Sequence, residues 1–385
     1  MGHAKDEMMK WEALGCRPVG DKNICPDCVG DYALKQFIID NAAHQECDYC
    51  GSTFDRPTCA EADALIELIA KSIGYEYEDP VHSVSYCSAE GGYLLPTKDA
   101  DDLVCNFDLG EFSQDAADAL DGLWVERDPY GDRPWEYMLS NWADFADHVK
   151  HQQRYFFPRA PVAGKPDSSI LEEAIQVTDE LSMIKVLPPG TQLFRARQHA
   201  AGVAPSTAVE LGTPPADKAT FSNRMSPAGI PMFYAAKDTL TARKETETAD
   251  PLKTEMTVGT FTTSAPLVVL DLAALPLFPS LFDDGRRHLR TGFKFIREFA
   301  DELALPITRN GQEHIEYVPT QMVSEYIRSV YQLPDGKRID GLCYKSAKNS
   351  GGVCVCLFLS HAEFVDGAVK GSKAPLLETT NTFTL

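Results

Sequence analysis

Two stretches in the first half of the chain carry apolar residues at the spacing of an amphipathic helix. In Cys59–Ile73 they recur at helical intervals, with mostly charged residues on the other side, which predicts one helix. A second stripe, rich in tryptophan and phenylalanine, predicts another helix from Pro134 to Gln153. Aromatic stripes of this kind usually pack into a core, so this helix should bury its aromatic face.

The second half alternates between strand-like and helix-like patterns. Helical spacing predicts three helices, at Ser169–Leu187, Gly292–Leu303 and Thr320–Val330. Short apolar runs predict strands at Gln192–Gln198, Ile230–Tyr234, Leu267–Asp271 and Glu313–Val318, and a final hairpin of Gly341–Ser346 with Gly352–Leu359. The alternation favours the α+β class with a mixed sheet. Proline and glycine in Pro158–Ser168 predict a linker before this half.

One stretch, Asn223–Glu245, combines a turn, a strand and the start of a helix. Proline and glycine break its first part, and Asp238 after the strand is a typical helix N-cap. This layout brings Arg224 from the loop, Tyr234 from the strand and Glu245 from the helix toward a common region. A basic, an aromatic and an acidic side chain in one place are candidates for a functional site.

The net charge of the chain limits the kinds of binding partner to be expected. The 385 residues suggest two or three domains, and 44% hydrophobic with 24% charged residues is typical of a soluble globular protein. The formal net charge is −21, and the isoelectric point is about 4.8. Broad binding to nucleic acid or to an anionic membrane needs clustered lysine and arginine, so the charge argues against both. A small anionic substrate remains compatible with a local pair of arginines.

The cysteines indicate a metal site. Two CxxC units, Cys25–Cys28 and Cys47–Cys50, are separated by eighteen residues, a spacing found in zinc ribbons. Each unit can place two thiolates on one tight turn, and two such turns close a tetrahedron around zinc. Four cysteines leave no open coordination position, so the zinc should be structural. Alternatives for the fourth ligand are Cys16, His44 and Cys59.

The sequence shows no recognisable targeting signal. Its N-terminal residues lack the apolar segment of a secretory signal, and the most apolar run, Ala265–Phe282, is interrupted by Asp271 and several prolines. Eleven cysteines without a secretory signal suit a reducing compartment. We therefore expect a cytoplasmic protein that does not span a membrane.

Several common catalytic templates are missing from the sequence. It contains no G-x-S-x-G elbow, no P-loop, no G-x-G-x-x-G after a strand and no H-E-x-x-H helix. This argues against serine hydrolases, P-loop ATPases, Rossmann dehydrogenases and zincins. Arg309 and His314 have the spacing of an arginine–histidine pair in some ribonucleases, but so short a pair often arises by chance.

Four ordered segments resemble the RES domain, a family named for arginine, glutamate and serine. They are Leu193–Arg197, Arg224–Glu245, Tyr317–Glu325 and Asp340–Phe358. Proteins of this kind are bacterial toxins with a fold like ADP-ribosyltransferases, and they consume NAD⁺ by cleaving the bond between nicotinamide and ribose. The preceding region, with its CxxC units and the segments Glu90–Tyr93 and Trp142–Phe156, resembles the N-terminal domain of HEPN/RES-type proteins.

The resemblance assigns roles to five residues. It implies that Arg224, Tyr234, Glu245 and Ser346 are catalytic, and that Arg195, Arg224, Tyr234 and Ser346 bind NAD⁺. An arginine can pair in bidentate fashion with pyrophosphate, and a glutamate near the ribose can stabilise an oxocarbenium-like transition state. Arg195 and Arg197 lie on the same face of a strand, so only the family pattern favours Arg195. Lys345 departs from the family, which often has proline before the serine.

The resulting hypothesis is an NAD⁺-consuming toxin or defence effector, either a glycohydrolase or a phosphorylase. Alternatives are an ADP-ribosyltransferase that modifies a protein, an NAD-binding regulatory module without turnover, and a ribonuclease that uses Arg309 and His314. An antitoxin or another regulatory protein is an expected partner. We expect a zinc-ribbon-like segment over 1–60, a mainly helical N-terminal domain over 61–165, and a RES catalytic domain over 185–370.

Overall fold

The structure, a computed structural model, describes residues 9–89, 91–120, 122–127, 142–155, 169–306, 311–364 and 375–384. The chain forms two compact units. The first consists of Met1–Asp132 together with Phe278–Arg290. The second consists of Arg133–Leu277 and Thr291–Leu385. A short segment from the middle of the sequence therefore belongs to the N-terminal unit.

The first unit contains short helices and paired two-residue strands around one core. Its helices include α1 (Tyr32–Asp40), α2 (Ala62–Glu76), α3 (Ala100–Val104) and α4 (Ser113–Ala119). The antiparallel strand pairs are β1 (Asn23–Ile24) with β2 (Ala60–Glu61), β3 (Tyr77–Glu78) with β6 (Val125–Glu126), and β4 (Tyr86–Cys87) with β5 (Gly92–Tyr93). The cysteines Cys25, Cys28 and Cys47 lie in the same buried cluster as the apolar face of α2.

Helix α2 confirms the first predicted helix. It begins at Ala62 rather than Cys59, because Ala60 and Glu61 pair with β1. Its buried side chains include Leu65, Ile69 and Ile73, as the apolar spacing predicted.

The segment Phe278–Arg290 completes the first unit. Its Leu281 and Phe282 are buried in the N-terminal core. The hydroxyl of Tyr32 donates to Asp283 at 2.8 Å, and the Ser280 hydroxyl donates to Asp31 at 2.9 Å. Polar bonds and apolar burial thus both hold this segment in the N-terminal unit.

The second unit is built around an eight-stranded mixed sheet in the order β14-β10-β8-β9-β13-β12-β11-β7. The strands are β7 (Ile184–Leu187), β8 (Gln192–His199), β9 (Phe233–Ala236), β10 (Glu255–Thr263), β11 (Leu267–Asp271), β12 (Gly341–Lys345), β13 (Val353–Leu357) and β14 (Pro375–Thr384). All neighbours are antiparallel except β11 and β12. The mixed sheet confirms the α+β class, and the β12–β13 pair confirms the predicted hairpin.

The helices of the second unit are α5 (Trp142–His151), α6 (Ser169–Glu180), α7 (Ala208–Leu211), α8 (Thr239–Thr246), α9 (Arg290–Leu303), α10 (Glu313–Glu316) and α11 (Val318–Ser329). Helix α5 contributes Trp142 and Phe145 to an aromatic cluster with Phe295 of α9, at centroid distances of 5.2–5.5 Å. The aromatic stripe is therefore core, as predicted. Residues 134–141 of the predicted helix and the predicted linker Pro158–Ser168 lie outside the described residues.

Two predicted elements are wrong. The helix predicted over Ser169–Leu187 ends at Glu180, and Ile184–Leu187 is strand β7. Ser182 has a positive φ of 56°, which is incompatible with continuing a right-handed helix. The strand predicted over Glu313–Val318 is instead helical, because its backbone bonds locally, for example from Ile315 N to Gln312 O at 2.8 Å. Strands β10 and β14 were not predicted at all.

The two faces of the sheet bury different clusters. One cluster contains Phe233, Phe261, Val355 and Leu357. On the opposite face, Ala242 of α8 packs with Ala196, Ala236, Met256 and Val258. Successive side chains of a strand point to opposite faces, so Tyr234 and Ala236 of β9 share one face. Helix α8 covers that face.

In the part of the chain that the structure describes, no helix is both long enough and apolar enough to cross a membrane.

Candidate active site and metal centre

Helix α8 is fixed at its start by the aspartate that the sequence pattern identified as a cap. Asp238 accepts hydrogen bonds from the Thr241 backbone N–H at 2.8 Å and from the Thr241 hydroxyl at 2.6 Å. These bonds satisfy N-terminal donors of the helix. Ala242 then packs on the sheet, and the Thr246 hydroxyl donates to Ala196 O of β8 at 3.3 Å. Glu245, between these two contacts, is held at a defined place above the sheet.

Ser346 reaches Glu245 from the end of strand β12. Its backbone N–H donates to Gly352 O at 2.9 Å across the hairpin. Its hydroxyl donates a hydrogen bond to Glu245 Oε1. The Lys348 backbone N–H donates to the same oxygen at 3.1 Å. The structure therefore brings Glu245 and Ser346 into direct contact, although they are far apart in sequence.

Two tyrosines lie on the sheet face that α8 covers. Tyr234 is directly opposite Cys356, and Tyr344 is directly opposite Cys354, while Cys354 is also opposite Ala236. Residues directly opposite in an antiparallel pair point to the same face, so both phenols share a face with Ala236. The side chains of Cys354 and Cys356, which lie opposite these tyrosines, are buried, as predicted.

Both phenols keep their protons at neutral pH. Burial raises the pKa of Tyr234 well above its ordinary value, and the neighbouring Cys356 raises it further. Burial likewise raises the pKa of Tyr344, with smaller contributions from the nearby cysteines, Tyr234 and Glu245. The Tyr234 hydroxyl lies 2.9 Å from the buried Ser226 hydroxyl. Both tyrosines therefore present neutral rings and hydroxyls on the face that α8 covers, and Tyr344 is close enough to Glu245 for the carboxylate to affect its pKa.

Burial lowers the pKa of both arginines on β8, and Arg195 also packs against an aromatic ring. Its guanidinium lies over the ring of Phe233, with Cζ 5.1 Å from the ring centroid. Its Nη1 is buried and makes no hydrogen bond to any residue that the structure describes. Burial lowers the pKa of Arg195, and the positive charge of Arg197 lowers it further. A buried donor of this kind favours an anionic ligand, because desolvation of an unpaired charge is costly.

Arg224 is buried, and its guanidinium contacts the end of α9 rather than Glu245 or Ser346. It pairs with Glu302 at 3.1 Å and donates to the carbonyls of Leu305 at 3.1 Å and Pro306 at 2.8 Å. Its Cζ also lies 5.1 Å from the ring centroid of Tyr317. These contacts fix the turn that carries Ser226, the partner of Tyr234.

Some residues at the site were not singled out by the sequence. Tyr344 lies within a segment that resembles the RES domain, and strand alternation from Ser346 would have placed it two residues away on one face. Lys348 and Asn349 contact Glu245, Ser346 and α8 only because the hairpin folds back over the helix. No local signal identifies those two. Of the ribonuclease pair, Arg309 lies outside the described residues, and His314 lies on α10.

The four predicted cysteine ligands meet in the first unit. Cys25 precedes and Cys28 ends a 3₁₀ turn that begins with Pro26. Cys47 and Cys50 lie in a second tight turn, which Gly51 closes with a φ of 71° and an N–H that donates to Cys47 O at 2.9 Å. A positive φ favours glycine, since it has no Cβ to clash with the backbone.

The sulfur positions fit one tetrahedral metal ion. Sγ–Sγ distances are 3.6 Å for Cys25–Cys28 and 3.7 Å for Cys25–Cys50 and Cys28–Cys47. Zn–S bonds of about 2.3 Å imply S–S edges of about 3.8 Å in a tetrahedron, whereas a disulfide is about 2.05 Å long. All four sulfurs lie within 4.8 Å of one another. In the described chain the group contains neither Cys16, His44 nor Cys59, the alternative ligands.

Two family models match the sequence. HEPN/RES N-terminal domain 1 matches residues 40–162, and the RES domain matches residues 192–377. No curated protein and no solved structure gives a significant match. The RES match contains Arg195, Arg224, Tyr234, Glu245 and Ser346, and the RES domain is associated with toxins that use NAD. The chain is therefore a RES-domain protein with a HEPN/RES-type N-terminal domain.

Proposed function

We propose that this protein cleaves the bond between nicotinamide and ribose in NAD⁺. The observation that carries the proposal is the contact of Glu245 with Ser346, within the region that matches the RES domain and on the side of the sheet that carries two neutral tyrosines. Departure of nicotinamide leaves positive charge on the ribose, and a carboxylate held nearby stabilises that charge.

The contacts of Glu245 suggest how its two oxygens divide the work. Oε1 accepts from the Ser346 hydroxyl and from the Lys348 N–H. Oε2 makes no hydrogen bond within the described part of the chain, so it is available to a ribose hydroxyl or to the reacting carbon. Ser346 acts by holding the carboxylate in one orientation. Such preorganised electrostatic stabilisation is commonly the largest contribution to catalysis.

We propose that Arg195 binds the pyrophosphate of NAD⁺ and that Tyr234 packs against the nicotinamide or its ribose. The buried Nη1 of Arg195 supports the first role, since phosphate oxygens supply an acceptor that no described residue provides. For Arg224 the contacts support an anchoring role. Through its bonds to Glu302, Leu305 O and Pro306 O, it orders the turn that positions Ser226 beside Tyr234.

We expect purified protein to release nicotinamide from NAD⁺. Reaction with water yields nicotinamide, ADP-ribose and a proton, whereas reaction with phosphate yields nicotinamide and ADP-ribose 1″-phosphate. Chromatography of the products, with and without inorganic phosphate, separates the glycohydrolase from the phosphorylase. Transfer to a protein would appear as ADP-ribose attached to the chain or to an added target. No nicotinamide in any of these reactions would refute the proposal and favour a binding module without turnover.

Substitution of the two arginines on β8 tests which one contacts NAD⁺. Arg195→Lys should raise the KM for NAD⁺ about tenfold or more, because lysine cannot reproduce the planar fork of donors. Arg197→Lys is the matched control, since it makes the same chemical change two residues away on one strand. Its KM should stay within about twofold of wild type. Equal effects of both substitutions would contradict the assignment of Arg195.

The finer features of the chain are proposed on the same basis. We propose that the RES domain, over 185–370, has an ADP-ribosyltransferase-like arrangement. We further propose that the four cysteines hold zinc and that cleavage of NAD⁺ makes the protein a toxin or defence effector. An enzyme that depletes NAD⁺ harms its own cell, so a protein that restrains it is the expected partner.

A further inference from the structure

The segment Ser346–Gly352, here called the serine loop, wraps around helix α8. It joins strands β12 and β13 and contacts both ends of the helix. At the helix start, the Asn349 side chain donates from Nδ2 to Thr241 Oγ1 at 2.7 Å. At the helix end, Lys348 Nζ donates to backbone carbonyls at 3.0–3.1 Å. The loop thus spans the helix that carries Glu245.

Lys348 holds Glu245 at two points. Its backbone N–H donates to the carboxylate Oε1 at 3.1 Å, and its Nζ donates to the backbone oxygen of Glu245, also at 3.1 Å. Nζ additionally donates to Glu247 O at 3.0 Å. One residue therefore fixes both the main chain and the side chain of the proposed catalytic glutamate.

The end of a helix needs such a partner. The last carbonyls of a helix have no internal donor, and the C-terminus carries partial negative charge. Helix α8 ends at Thr246, and within the described residues Glu245 O is bonded by Lys348 Nζ. A cation at this end satisfies carbonyls and interacts favourably with the helix dipole. Without it, the last turn that carries Glu245 should fray.

Asn349 holds Ser346 by a hydrogen bond, as Lys348 holds Glu245. Its backbone N–H donates to Ser346 Oγ at 2.9 Å, which leaves the serine hydrogen directed at Glu245. Its Oδ1 accepts from Lys244 Nζ at 2.9 Å. The loop also lies close to the helix at Gly352, where a Cβ atom would come within 2.4 Å of Thr241 Oγ1. Close approach and hydrogen bonds thus fix the loop on α8.

We propose that Lys348 and Asn349 are positioning residues that set the geometry of the Glu245–Ser346 pair for the reaction. This inference rests on the proposed cleavage of NAD⁺. Neither residue needs to touch the substrate, because each acts through a bond to a residue of the pair. A displacement of about 1 Å at a reacting group can cost about a hundredfold in rate, so loss of either contact should lower kcat more than it changes KM.

The test is the variant Lys348→Met, which keeps the length of the side chain and the backbone N–H but removes Nζ. We expect kcat for nicotinamide release to fall about tenfold to a hundredfold, with KM for NAD⁺ within about twofold of wild type. Lys348→Arg, which again offers donors to the two carbonyls, should restore most of kcat. Lys345→Met is the matched control, because the Lys345 side chain is exposed and makes no hydrogen bond to a described residue, while its backbone stays paired in β12. It should keep wild-type kcat and KM.

A second variant, Asn349→Asp, covers the case in which Lys348→Met fails to fold. It retains the shape and the contact with Lys244 but loses the donor to Thr241, and kcat should again fall with KM nearly unchanged. Normal kcat in folded Lys348→Met or, where that variant does not fold, in Asn349→Asp would overturn the inference while leaving the proposed function intact. Wild-type protein that releases no nicotinamide would overturn both. An equal loss with Lys345→Met would show a general effect of lost charge and would also overturn the inference.

Discussion

Glu245→Gln should reduce nicotinamide release by at least about a hundredfold. The substitution preserves the shape of the side chain, and its amide oxygen can still accept from the Ser346 hydroxyl. It removes the negative charge that would stabilise the positive ribose in the transition state, and it places an amide donor where Oε2 stood. The loss should therefore appear in kcat, measured as initial rates of nicotinamide formation at saturating NAD⁺.

The neighbouring glutamate provides the control for this experiment. Glu247 lies just after α8, is exposed, and contributes only its backbone oxygen to the contact with Lys348. Glu247→Gln makes the same change of charge two residues away and should retain wild-type kcat. Full activity of Glu245→Gln would remove Glu245 from the mechanism. Equal loss in both variants would point to a general effect of charge.

Loss of one metal ligand should strongly destabilise the first unit. The wild-type protein should contain about one zinc per chain, and Cys28→Ser should lose it. Structural zinc sites can supply about 10 kcal/mol or more of apparent binding free energy, which is coupled to folding. Three of the four cysteines also lie in the core cluster of this unit, so loss of the metal disturbs the core directly. We expect the melting temperature of this unit to fall by at least about 10 °C.

Metal analysis and thermal melting by circular dichroism measure both effects. Cys105→Ser is the matched control, because Cys105 lies in the same unit but is exposed and outside the cysteine cluster. It should retain zinc and the wild-type melting temperature. Chelator treatment of wild-type protein should reproduce the Cys28→Ser result. A metal-free wild-type protein that melts at the same temperature with and without added zinc would remove the structural role of the site.

The cysteine site illustrates how much a local pattern can predict. Each CxxC unit places its two sulfurs by the geometry of one tight turn, and that geometry depends on neighbouring residues such as Pro26 and Gly51. Only the approach of the two turns is a tertiary event. The fixed S–S distances required by a tetrahedral ion restrict that approach strongly. For this reason the sequence predicted all four residues that the structure brings together.

The start of α8 was predicted for a similar reason. Asp238 bonds to Thr241 within one turn, so the cap depends only on residues close in sequence. The error over Ser169–Leu187 has the opposite cause. Its last four residues are apolar enough for either a helix or a strand, and pairing of Ile184–Leu187 with β11 decides between them. Short apolar runs carry no local signal that makes this choice.

The residues of the candidate site also differ in whether the sequence or only the folded chain identifies them. The family pattern named Glu245 and Ser346, and the structure places them in contact. The same pattern named Arg224, whose guanidinium the structure uses to hold the end of α9. It could not identify Lys348 and Asn349, because their contacts form only when the serine loop closes over α8.

The amino-acid sequence was sufficient for features that depend on neighbours along the chain: the cysteine turns, the Asp238 cap, the amphipathic helices and the order of the RES motifs. Features that depend on distant segments required the folded chain. Among these are the pairing of β7 with β11, the burial of Phe278–Arg290 in the first unit and the hydrogen bonds from Lys348 to Glu245. Turns and caps are local hydrogen-bonded structures, whereas strand pairing and loop closure are selected by the total burial and bonding of the whole unit.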